Sequence, residues 1–311
     1  MVCKKLIIAT LVLSAGTSLV FAQKGKEFSI PISDLKAWAE NPIAVVHVKI
    51  DGHSAVHLPK NDCEMHLGGH APAYQGDPDG WVLEPMNACG EPLPGTTTYT
   101  KTAWLHFGDS VTGKTLDATG IVRIWPEHLT SSGASNPAHA LELRPLLAVS
   151  TSGRRYDFSK LVYAPEDFSG GLSTGTASRI LTHTTVSVTQ TGDMANINFV
   201  AGTIGNFTTL SVRANLQSAA DVEGSYRIDG GVILDSGQDV AVRLLTCKGT
   251  AVNDAIAKLI QKGKASAQFD FLVLFSLDPV ALYKAATQSQ GEPVEVRQPI
   301  QLIVYGEAQA E

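Results

Sequence analysis

The chain lacks most of what would announce a function. Beyond residue 22 no apolar run reaches the roughly 20 residues that a membrane-spanning helix needs, which argues against stable membrane insertion of the remainder. Beyond Lys26 no Lys/Arg cluster is longer than two, and 24 basic residues against 30 acidic ones leave a net charge of −6. A nucleic-acid partner normally leaves a basic footprint, so that class is excluded. Gly68-Gly69 and Gly170-Gly171 are not phosphate loops, because no Gly-Lys-Ser/Thr follows. No His-Glu-x-x-His helix is present. His53 and His57 stand four apart, but Gly52 and Pro59 disfavour a helix there. Cysteine is scarce: of four, only Cys63, Cys89 and Cys247 lie beyond residue 22.

What is there begins with residues 1–22, which read as a cleavable signal peptide. Lys4 and Lys5 precede an apolar run from Leu6 to Phe21, and Val20 and Ala22 suit the −3 and −1 positions of a cut before Gln23. The expected location is therefore extracytoplasmic, periplasmic or secreted. Disulfides persist in such compartments. Cys63 and Cys89, 26 residues apart in the same half, are expected to pair. Cys247 follows the apolar segment 240–245 and reads as a buried, inert thiol.

The remainder of the 311 residues is long enough for two domains of roughly 100 to 150 residues each. Residues 23–42 form a lead-in, 43–175 a first domain and 176–311 a second. The β-branched segment 43–50 reads as a strand, with Asp51-Gly52 as a hairpin turn and 55–58 as its return. Residues 62–67 alternate, so Asp62, Glu64 and His66 would share one face of a strand. The Gly/Pro-rich stretch 68–98 reads as a long loop. Segments 102–107, 116–125 and 139–149 read as further strands. Short strands with turn-rich spacers suggest a small barrel or sandwich.

In the second half, strands are expected at 180–191, 195–201, 209–216, 225–229, 232–234, 239–247, 267–277 and 294–305, with Asp229-Gly230-Gly231 as a tight turn. One helix follows Asn253 as N-cap and stops at Gly263. Another opens at Asp278-Pro279 and runs to about Thr287. No internal repeat is visible.

The most unusual feature is histidine density: His47, His53, His57, His66 and His70 are five of nine histidines. Imidazole is the commonest metal ligand. Two or three of these with a carboxylate would make a zinc or copper site, and the set drawn from them is His47, Asp62, Glu64, His66 and His70. The bland alternative is that they are outward polar residues on strands. Trp81, Trp104 and Trp125 could form a ligand-stacking face but read better as core. Gly171-Leu-Ser173-Thr-Gly175 matches a nucleophile elbow literally and reads as linker. The carboxylates Asp77 and Asp79, and Glu166 and Asp167, read as solvated loop charges.

The run Gly120-Ile-Val-Arg-Ile-Trp-Pro-Glu-His128, followed by His139-Ala-Leu-Glu-Leu-Arg-Pro145, resembles a segment of small exported OB-like barrel proteins of unknown function. In those a strand often reads His-x-Trp-Glu-Ile-His-Pro. His139, Glu142 and Pro145 match, while Leu141 and Arg144 replace the Trp and the second His. Asp62-Cys-Glu-Met-His66 resembles the Asp-x-Asp/Glu-x-His strand of the same proteins. The resemblance covers residues 43–149 and implies an OB-like barrel, with no established activity. By alternation Glu142 and Arg144 share a face and can form an ion pair, with Leu141 and Leu143 turned to the core.

The fold expected is mainly β: an N-terminal OB-like small barrel, then a second β-rich domain, sandwich-like or α+β, with two short helices. The function expected is that of an exported binding or structural protein, its partner a small molecule or an envelope protein. The alternatives are a metal-dependent hydrolase or metal-binding protein centred on the histidines, and an envelope or surface assembly component.

Overall fold

The computed structural model describes residues 26–58, 61–151, 153–161 and 171–307. The signal-peptide reading and the Glu166–Asp167 pair lie outside these residues. The fold is mainly β, with two closed five-stranded barrels and five helices.

The lead-in holds β1 (Glu27–Pro31) and α1 (Ile32–Glu40). The first barrel is built from β2 (Ile43–His53), β3 (Leu67–His70), β4 (Gly80–Leu83), β5 (Thr115–His128) and β6 (His139–Thr151). Its strand order is β4-β3-β2-β5-β6, closed by a parallel β4–β6 pairing; all its other pairings are antiparallel. Helix α2 (Lys101–Val111) connects β4 to β5, and β7 (Arg154–Asp157) adds to the edge of β6. This is the OB-like barrel that the resemblance implies.

Three local readings of the first half are corrected. Residues 102–107 are helical, because Thr100 caps the helix by accepting from Ala103 N and the buried Trp104, Phe107, Gly108 and Val111 recur at helical spacing. The stretch 68–98 contains most of β3 and all of β4. Strand β2 runs through Asp51-Gly52, with a bulge between Ile50 and Gly52, and its partner is β3 rather than 55–58. Trp81, Trp104 and Trp125 are all core residues, at most 1% exposed.

Next come α3 (Thr174–His183), β8 (Thr185–Thr191) and β9 (Met194–Ala201). The reading of 180–191 as one strand is thus corrected to a helix end followed by a strand. Ser173 is the N-cap of α3, its hydroxyl accepting from Thr176 N, so the reading of 171–175 as linker is corrected to the opening of a helix.

The second barrel comprises β10 (Phe207–Asn215), β12 (Ser225–Ile233), β13 (Asp239–Thr246), β14 (Ser266–Leu277) and β16 (Ile300–Glu307), with the short β11 (Ala220–Val222) on the β12 edge. Gly230 and Gly231 lie inside β12 rather than in a turn. Strand order is β10-β14-β16-β13-β12, closed by β10–β12; only β13–β16 is parallel. Helix α4 (Ala251–Gln261) sits between the third and fourth strands of this barrel, as α2 does in the first. The second barrel therefore repeats the connectivity of the first, although no sequence repeat accompanies it. Thr250, not Asn253, caps α4.

Helix α5 (Pro279–Ser289) opens with Asp278 as N-cap and Pro279 in its first turn. Strand β15 (Val294–Arg297) completes a third, four-stranded sheet in the order β1-β9-β8-β15. The lead-in strand thus joins strands of the second half. No helix among the described residues is long and apolar enough to cross a membrane.

The barrels meet through their outer faces. Met86 and Ile121 of the first half pack with Leu272, Leu274 and Ile303 of the second, and the buried Cys247 lies in the same cluster. Strands β5 and β14, the fourth strand of each barrel, run together: Arg123 Nε donates to Phe275 O at 2.8 Å and Ile124 N donates to Ser276 Oγ at 3.1 Å.

Candidate metal centre

The connection from β2 to β3 is the site's scaffold. Ser54 N donates to His66 O and His57 N to Glu64 O, so 54–57 and 64–66 run side by side without regular strand geometry. Cys63 takes φ +53° and bonds to Cys89 as expected. This left-handed residue breaks the alternation that would have put Asp62 and Glu64 on one face. Asp62 turns instead to His57, whose Nδ1–H donates to its Oδ1 at 2.5 Å. Glu64 is fully buried and bound by Arg144 and by the Tyr305 hydroxyl at 3.1 Å.

His57, Asp62 and His66 come together, with one ligand atom from each lying within 4.8 Å of the others. The two imidazoles pack edge to face at 4.5 Å between centroids. Their side chains are 25%, 15% and 15% exposed respectively, so the group is held firmly yet reachable from solvent. The hydrogen bond to Asp62 raises the basicity of His57. Burial opposes ionisation of Asp62, but His57 and the charge of Arg144 outweigh it and hold that carboxyl down at about 2.

Of the five residues proposed from sequence, two are therefore in the cluster. His47 pairs with Asp117 at 2.7 Å on the surface, and His70 pairs with Asp51 and approaches Asp79 at 3.7 Å. Glu64 belongs to the layer beneath. His57 was not in that set. The sequence signal for it is only a histidine five residues before an aspartate.

That deeper layer is an ionic network on the outer face of the first barrel, sealed by the second. His66 Nε2 lies 3.5 Å from Glu84 Oε1, and Glu84 Oε2 lies 2.8 Å from Arg144 Nε. Arg144 also reaches Glu64, Glu142 at 3.8 Å and Asn206 Oδ1 at 2.8 Å. The Glu142–Arg144 pair is present, but each has a nearer partner: Arg123 Nη1 donates to Glu142 Oε2 at 2.7 Å. Leu141 and Leu143 face the core.

Burial pushes the Glu64 carboxyl well above its usual value, against the pull of Arg144 and with the help of Glu84. For Glu142 the balance is reversed: burial is outweighed by Arg123 and His139, and the carboxyl stays ionised far below its usual value. Burial likewise drives Tyr305 upward, so it remains a hydroxyl donor to Glu64.

Compared with protein-family models, with curated proteins and with solved structures, the chain matches none. The chemistry of the site is the only guide to its use.

A second group, His128, His139 and Glu142, also brings three ligand atoms within 4.8 Å of one another. It sits where β5 and β6 turn into their connecting loop. That loop lies against the first one: a side chain at Gly52 would bring its Cβ to 2.8 Å from Ala134 Cβ and 3.3 Å from Ser135 N. Both histidine groups thus belong to the β2–β3 and β5–β6 connections, the two loops with which OB barrels bind ligands.

Proposed function

We propose that the chain is an exported binding protein whose ligand is a divalent transition metal, zinc or copper, held by His57, Asp62 and His66. The convergence of these three side chains on one reachable loop is the observation that supports it. Imidazole nitrogen and carboxylate oxygen suit both metals. Three protein ligands leave a coordination position for water or another molecule. The buried layer below supplies orientation, since Glu84 faces His66 and lies in an ion pair with Arg144. Location on an OB-type ligand loop supports the reading by analogy of fold. Export rests on residues 1–22 and accords with the Cys63–Cys89 disulfide.

An open position is also what catalytic zinc sites keep, so metal-dependent hydrolysis is the second reading of the same residues. Binding is preferred because the neighbouring carboxylate Glu84 is buried and paired in charge with Arg144.

The test is elemental analysis of mature protein isolated without chelators or an affinity metal. Zinc or copper should be present, and His66→Ala should lower its content by one ion per chain. Protein that is metal-free as isolated, and that binds added zinc no differently after His66→Ala, would overturn the proposal.

A further inference from the structure

We infer that His128, His139 and Glu142 form a second site for a divalent transition ion of the zinc type, sharing no residue with His57, Asp62 and His66. The strand register puts His128 directly opposite His139, so the pair is placed by the barrel itself. Their rings stack at 5.0 Å between centroids, 23° from parallel. His139 is fully buried and Glu142 nearly so, while His128 keeps partial access to solvent and supplies the way in.

The decisive feature is the hydrogen bonding of His139. Its Nδ1 lies 2.7 Å from Pro137 O. A carbonyl only accepts, so Nδ1 carries a hydrogen. Nε2 is left as the ring nitrogen free to take a metal, and it points at Glu142 Oε1 from 3.4 Å. Glu142 Oε2 is occupied by Arg123, whereas Oε1 faces His139. Either a proton on Nε2 or a metal ion held by both atoms joins the pair. A zinc ion with bonds of about 2.0–2.1 Å at tetrahedral angles sets its ligand atoms roughly 3.3–3.4 Å apart, so Nε2 and Oε1 lie at a spacing that a metal can bridge.

A ligating histidine whose second nitrogen is fixed on a carbonyl is the usual second shell of a metal site. The surroundings also favour a cation. Glu84, Glu127 and Glu142 share only two guanidiniums, Arg123 and Arg144, one of which also holds Glu64.

Metal-free mature protein titrated with zinc, and separately with cobalt as a spectroscopic probe, tests the inference. Wild type should take two ions per chain, and His66→Ala and His128→Gln one each. X-ray absorption of zinc-loaded His66→Ala protein should show two imidazole ligands with oxygen. His139→Gln should behave as His128→Gln. Should it fail to fold, the half-exposed His128 position decides alone, with an unchanged circular-dichroism spectrum as the folding control. Undiminished stoichiometry in His128→Gln would overturn the inference. So would nitrogen NMR showing His139 Nε2 still protonated in excess zinc. A single ion lost in His128→Gln but kept in His66→Ala would uphold this site and refute the one proposed above. The reverse pattern would do the opposite.

Discussion

Replacing Arg144 by methionine tests the ionic layer between the barrels. Arg144 is 2% exposed and touches Glu64, Glu84, Glu142 and Asn206 at once. Methionine fills much of the volume but removes every donor. Glu84 is then left buried without its guanidinium partner and Glu64 without its donors. Breaking a buried ion pair from one side typically costs about 3–5 kcal/mol, a large part of the roughly 5–15 kcal/mol that holds most folded proteins together. The assay is equilibrium denaturant unfolding at neutral pH with the disulfide intact, followed by tryptophan fluorescence. The triple variant Arg144→Met, Glu64→Gln, Glu84→Gln removes the stranded carboxyls as well and should recover most of the loss. A cost below about 1 kcal/mol for Arg144→Met, the size of a solvent-screened surface pair, would refute the buried network.

Three further outcomes follow from the same structure. Changing Cys63 and Cys89 together to serine should lower unfolding free energy by about 3.5 kcal/mol, the chain-entropy value for a loop of this length, and should weaken zinc binding at the neighbouring Asp62; unfolding and zinc titration of the variant check both. Thiol counting on unreduced mature protein should find one thiol, Cys247, and only after denaturation, because its sulfur is fully buried and burial pushes its ionisation upward. Asp278 caps α5, and burial raises its pKa despite the pull of Arg243. A carboxyl with a raised folded pKa stabilises the protein most below its unfolded value near 3.9. That contribution fades as pH rises through the folded value. Asp278→Asn keeps a capping side chain and should flatten this part of the stability profile, measured by denaturant unfolding across the acidic range.

Some of this could be read from residue order. Asp278-Pro279 announces its helix because cap and proline act within one turn. Cys63 and Cys89 pair as expected. The tryptophans are core, as large apolar rings usually are. Helix α2 was hidden because Trp104, Leu105 and Phe107 also suit a strand, and the Thr100 cap and the helical recurrence of Trp104, Phe107, Gly108 and Val111 were the overlooked signals. Nothing local to Arg123 marks it as buried or names Glu142 as its partner.

By itself the sequence determined a β-rich chain with an OB-like first half, one disulfide and a histidine-rich connection. Hydrophobic alternation, turn residues and cysteine spacing are short-range properties, and they survive in a linear reading. Only the tertiary structure decided that the second half closes into a barrel of the same connectivity, since that depends on which strands pair and not on which residues they contain. It also decided which histidines meet. His57 reaches Asp62 and His66 because Cys63 turns left-handed, and His128 faces His139 because of the β5–β6 register; backbone path and register are settled by the folded structure and not by residue order.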